Sequence, residues 1–178
     1  MPKLLPSALL ALCVFVGATA IPAVAESGPT QATSPEAQAV KIYRSLRDQD
    51  WQAWFFLVAF SPKAKESLKD TTAEAFAADV WKGYNNSFKT PEDKKKTDDL
   101  FKSIGGIMVG EAVISGNTAA VPTSARITVN DKVLAVSGIA HLINVDGVWK
   151  LDLTFSDNTE QATSQRVGEL IGTAAPDK

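Results

Sequence analysis

An α+β fold is predicted, with helices packed on one face of a curved four-stranded antiparallel meander sheet. Three observations carry it. From Ser34 to about Ser103 the chain is punctuated by helix caps and carries apolar residues at helical spacing; from about 105 to 156 the spacing becomes two. The strand region is cut by Gly116-Asn117, Asn130-Asp131 and Asp146-Gly147, each suited to a two-residue hairpin turn. Helices followed by strands, rather than alternating with them, argue for helices gathered on one side of a sheet.

The elements follow in order. Residues 1–25 read as a secretory signal peptide: Lys3, an apolar run from Leu9 to Ala18, then Ala23-Val24-Ala25, with cleavage expected after Ala25 and Ala20 as second choice. The apolar run is too short for a stable span, so no membrane anchor is expected after cleavage. Leu12 before Cys13 argues against a lipid-anchoring site. Cys13 is the only cysteine, so the exported chain, periplasmic or extracellular, is expected to use no disulfide. Residues 26–33 are small and polar, a flexible lead-in.

The domain is expected over 34–157. Ser34 caps a first helix with Pro35 in its first turn, Glu36 at its positive end and Val40, Tyr43 and Leu46 along its apolar stripe. Asp50 caps a second helix, Trp51 to Phe60, apolar nearly all round and therefore buried. Ser61-Pro62 opens a short helix to Leu68. Thr71 or Thr72 caps another through Trp81 and Tyr84, with Phe76, Val80 and Gly83 on one side. Thr90-Pro91 opens a charged helix to about Ser103. After the four strands, 158–178 is a polar tail with a short helix bearing Val167, Leu170 and Ile171 on one side.

The turns fix a register. Asp146-Gly147 pairs Val145 with Val148, Asn144 with Trp149, Leu142 with Leu151 and His141 with Asp152. Asn130-Asp131 pairs Ile127 with Leu134, Ala125 with Val136, Thr123 with Gly138 and Val121 with Ala140. Because side chains alternate faces, both turns send the same apolar set inward and put His141, Lys150, Asp152, Arg126 and Thr128 outward. Pro122 lacks an N–H and should sit at a bulge or ladder gap.

Net charge is −2, which offers no basic field for nucleic acid. Lys94-Lys95-Lys96 is interleaved with Glu92, Asp93, Asp98 and Asp99 and reads as a solvated helix face. One histidine and no cysteine beyond the signal segment cannot make a usual zinc site. Asp48 and Asp50 fall at a helix junction, where capping suffices, and no calcium-loop spacing appears. No metal and no cofactor is expected. No phosphate loop or Gly-x-Ser-x-Gly elbow is present.

In order, the motifs Arg47-Asp48-Gln49-Asp50, Trp51-Gln-Ala-Trp54-Phe55-Phe56-Leu57, Phe60-Ser-Pro-Lys-Ala-Lys-Glu-Ser-Leu68, Glu74-Ala-Phe76 and Asp146-Gly147-Val148-Trp149-Lys150-Leu151 resemble the nuclear transport factor 2-like superfamily, a cystatin-like cone. The layout over about 34–156 is most similar to small secreted or lipoprotein-associated members of unknown function. The resemblance implies a cone whose interior serves an acid–base enzyme in some members and a binding or interaction module in many others.

Small residues on the inner face, among them Thr123, Gly138 and Ala140, leave room for an aromatic helix or a ligand. The lining expected is Trp51, Trp54, Phe55, Phe76, Val80, Thr123, Gly138, Ala140, Asn144, Trp149 and Leu151. This face bears no carboxylate or histidine. His141 with Asp152 could form an oriented base, but the register turns both outward, where a cross-strand pair suffices. The expectation is a non-enzymatic binding protein for a small apolar molecule or an envelope protein. The alternative is a small lyase or isomerase using Asp79 or Tyr43. The resemblance implies that a homodimer would use the outer sheet face, which includes Val109, Val113, Val133, Ile139 and Ile143; the aromatic helix Trp51–Phe60 is the other candidate for a dimer or partner interface.

Overall fold

The computed structural model describes residues 34–129 and 131–171; the predicted signal segment, Cys13 and the lead-in lie outside the described residues. Within them the fold is α+β, with six helices and a mixed six-stranded sheet. Four helix starts are as read from the caps. Ser34, Asp50, Ser61 and Thr90 accept through their side chains from Ala37, Ala53, Ala64 and Asp93 N–H. Between Thr71 and Thr72, the cap is Thr72, bonded to Ala75 N–H. These caps open α1 (Pro35–Arg47), α2 (Trp51–Leu57), α3 (Pro62–Leu68), α5 (Pro91–Lys102) and α4 (Ala73–Asn86) respectively.

The second helix is shorter than predicted. It ends at Leu57, and Val58–Phe60 forms β1, parallel to β6 (Val148–Leu153) with Val58 opposite Leu151 and Phe60 opposite Leu153. Two forces favour the switch. Pro62 pushes Ser61 out of helical geometry, and β-branched Val58 fits a strand. The all-round apolar character that suggested a buried helix serves a buried strand equally well: all three β1 residues are buried.

The predicted antiparallel meander of four strands becomes the order β1-β6-β5-β4-β2, with β3 also paired to β4. The expected first strand is split into β2 (Gly105–Val109) and β3 (Val113–Ser115), which pair consecutively along β4 (Thr118–Val129). Pro122 explains the break. It lies where β2 has ended and β3 has not begun, and Gly110 N–H bonds the Pro122 carbonyl at 2.8 Å. Glu36 of α1 closes the gap by accepting from Ala112 N–H at 2.9 Å.

The long hairpin of β4 with β5 (Lys132–Val145) keeps the predicted register at every pair named, as does β5 with β6 from Leu142–Leu151 to Val145–Val148. Asp146 and Gly147 both have positive φ, 53° and 84°, as the turn requires. The inner face holds Val121, Thr123, Ala125, Val136, Ala140, Leu142, Trp149, Leu151 and Leu153, all buried. Helix α1 covers it with Ile42, Tyr43 and Leu46.

The tail is more than polar trailing chain. Asn158 accepts from Glu160 and Gln161 N–H and opens α6 (Thr159–Ile171), which packs against β5, β6 and β4. Ala162 and Leu170 are fully buried there.

Candidate functional site

Tyr43, Thr123, Gly138 and Leu170 meet at one point, brought from α1, β4, β5 and α6. Tyr43 sits on the buried stripe of α1, and Thr123 points inward because odd-numbered residues of β4 face the core. Their hydroxyl oxygens are 2.8 Å apart. Both converge on the main-chain carbonyl of Leu170: Tyr43 donates to it in a short hydrogen bond, and Thr123 Oγ1 lies 3.4 Å away. Each hydroxyl has one proton. With the phenol's given to Leu170, the Thr123 proton is directed to the phenol oxygen or to the same carbonyl. Burial pushes the Tyr43 phenol up to about 12, partly offset by the Thr123 bond, so Tyr43 stays a donor at neutral pH.

Gly138 forms the floor. A Cβ built there would overlap the carbonyl oxygens of Glu169 and Leu170, so the end of α6 lies backbone against backbone on the sheet. Only a residue without a side chain permits that approach.

Around this point runs a polar latch. Arg166 donates to the Asp152 carbonyl at 2.8 Å, stacks 4.3 Å over the Phe155 ring and bonds Glu169. Glu169 also accepts from Gln165 at 3.0 Å and faces His141 Nε2 at 3.9 Å. Burial raises the Glu169 carboxyl, but the bonds from Arg166 and Gln165, with Arg166 and His141 charge nearby, hold it below its ordinary range.

The sequence-predicted lining divides into two groups. Thr123 and Gly138 meet Leu170, buried Ala140 follows Gly138 on the same face of β5, and Leu151 and Trp149 are buried on the neighbouring strand. Trp51, Trp54, Phe55, Phe76 and Val80 belong instead to an aromatic layer between α2 and α4. Trp51 meets Trp54 and Trp81 edge-on, and Phe55 tilts onto Phe76 and Phe60. The room left by the small strand residues is therefore taken by Tyr43 and Leu170.

Asn144, opposite Trp149, accepts through its side chain from Gly147 N–H at 2.9 Å and shapes the turn. Asp79 is a correction, lying exposed on α4. His141 is 41% exposed, with Glu169 beside it, while the Asp152 carboxylate accepts from Thr154. Sequence reasoning missed Arg166 and Glu169. Their spacing of three on one helix face was visible; that the face would meet this sheet was not.

A second polar cluster braces the helices. Tyr84 donates to Asp98 at 2.6 Å, Lys94 bonds the other oxygen at 2.6 Å, and Gln49 lies 3.4 Å away. Burial and the Asp98 bond raise the Tyr84 phenol. Asp98 is raised by burial but held lower overall by Lys94, Tyr84 and Gln49. Among the described residues no three potential metal-ligating side chains gather, and no helix is long and apolar enough to cross a membrane. No protein-family model matches this chain, and no curated protein sequence matches it significantly.

Proposed function

We propose that this chain is an exported, non-enzymatic binding protein with a curved, cone-like fold of the nuclear transport factor 2-like kind. Its cargo is a small apolar molecule received on the inner sheet face, at the place Leu170 fills in the folded chain. The observation that carries the reading is the chemistry around Thr123, Gly138 and Ala140: small residues, apolar neighbours, and the paired Tyr43 and Thr123 hydroxyls as the polar feature. A few fixed polar groups in an apolar recess orient a ligand. Acid–base chemistry needs a group poised to exchange a proton near neutral pH. Asp79 is exposed, and burial holds Tyr43 protonated.

Native mass spectrometry of the protein purified from its own host tests this. A mass increment that disappears on organic extraction is expected. An unadducted protein whose melting temperature no member of a panel of apolar metabolites raises would reject the reading.

A further inference from the structure

We propose that the last turn of α6 is a displaceable occupant of this binding site, and that the ligand it stands in for is an apolar molecule bearing a carbonyl oxygen. The proposal rests on the binding reading above. Its first support is convergence. Tyr43 and Thr123, 80 residues apart in the chain, direct their hydroxyls at one carbonyl oxygen, that of Leu170. With the isobutyl side chain of the same residue buried beside it, that carbonyl presents the two features of such a ligand. The second support is Gly138, which keeps the floor open to a group lying against the backbone.

The third support is how α6 is held. Of its 13 residues, Ala162 and Leu170 are its buried hydrophobic anchors. Val167 packs half-buried beside them, and the Arg166–Glu169 latch ties the helix to Asp152, Phe155 and His141, polar contacts that water can replace when the helix lifts. A ligand satisfying both hydroxyls would compete with Leu170 directly, and the apparent affinity would be the intrinsic affinity scaled by the fraction of molecules with α6 undocked.

The test uses the full chain with isoamyl methyl ketone, which reproduces the leucine carbonyl and side-chain skeleton, and the corresponding branched alkane. Binding is followed by ligand-observed NMR, α6 docking by amide exchange over 159–170. Leu170→Asp and, separately, Arg166→Ala should release α6 while the β4–β5 amides stay protected. Both should bind the ketone at least about tenfold more tightly than the wild type. Adding Tyr43→Phe should remove that gain for the ketone and leave alkane binding unchanged.

The proposal is overturned if α6 is released without a gain in ketone binding, or if the gain survives Tyr43→Phe. It is equally overturned if both variants lose β4–β5 protection, since α6 would then be part of the folded core. A dimer on size analysis, with α6 exchanged between copies, would also overturn it. A mass increment on the wild-type protein alongside any of these results leaves the binding function standing; absence of both an increment and probe uptake removes both.

Discussion

Two glycines near the same contact should respond to alanine in opposite directions. At Gly138 an added Cβ would meet the Glu169 and Leu170 carbonyls, which are backbone atoms and cannot swing aside. The cheapest relief is withdrawal of α6, so Gly138→Ala is expected to cost about 1–3 kcal/mol, the usual range for overpacking, and to strip amide protection from α6. Gly168 lies inside α6, and a methyl group added there would meet nothing within 4 Å. There alanine loses less chain entropy on folding than glycine, so Gly168→Ala should stabilise docked α6 by about 0.5–1 kcal/mol. Urea unfolding of the two variants checks both signs. Equal effects would mean that α6 does not rest on Gly138.

The latch on α6 makes docking dependent on acid. Glu169 has its carboxyl below the ordinary range in the folded chain. A depressed carboxylate contributes stability that is whole above its unfolded value and is lost as pH falls through the folded one. Protection of α6 should therefore hold at about pH 6 and weaken from about pH 4 downward. Glu169→Gln should lower protection at the higher pH and converge with the wild type once the pH has fallen below the folded carboxyl's depressed range; amide exchange at several pH values decides it. The sequence made α1, α3, α4, α5 and the β4–β5 hairpin legible because each is set by local chemistry: a cap, a proline, a turn dipeptide. It left β1 hidden because a short apolar run has no period to separate strand from helix. It concealed the docking of α6 for a different reason. An apolar side with Val167 and Leu170 was legible in the tail, but the sheet face it meets is set by contacts far apart in the chain.

Across the whole molecule, stability is expected to be uneven in a way that follows burial. The sheet and α1 share a continuous buried core from Ile42 and Tyr43 through Val121, Leu142 and Leu153. Losing any part of it exposes the rest, which makes that unit open globally. Helix α6 adds Leu170 and Ala162 at its margin. Fewer of its side chains are fully buried than in the sheet, so α6 is expected to open at lower free energy than the core. Native-state amide exchange in low urea should therefore resolve two units. Amides of Thr163 to Glu169 should exchange through an opening with a shallow urea dependence, while those of Val121, Ala125 and Leu142 follow the steep dependence of global unfolding. If α6 merges with the sheet into one isotherm from the lowest urea upward, its docking is as strong as the core. Displacement by a ligand would then require unfolding the protein.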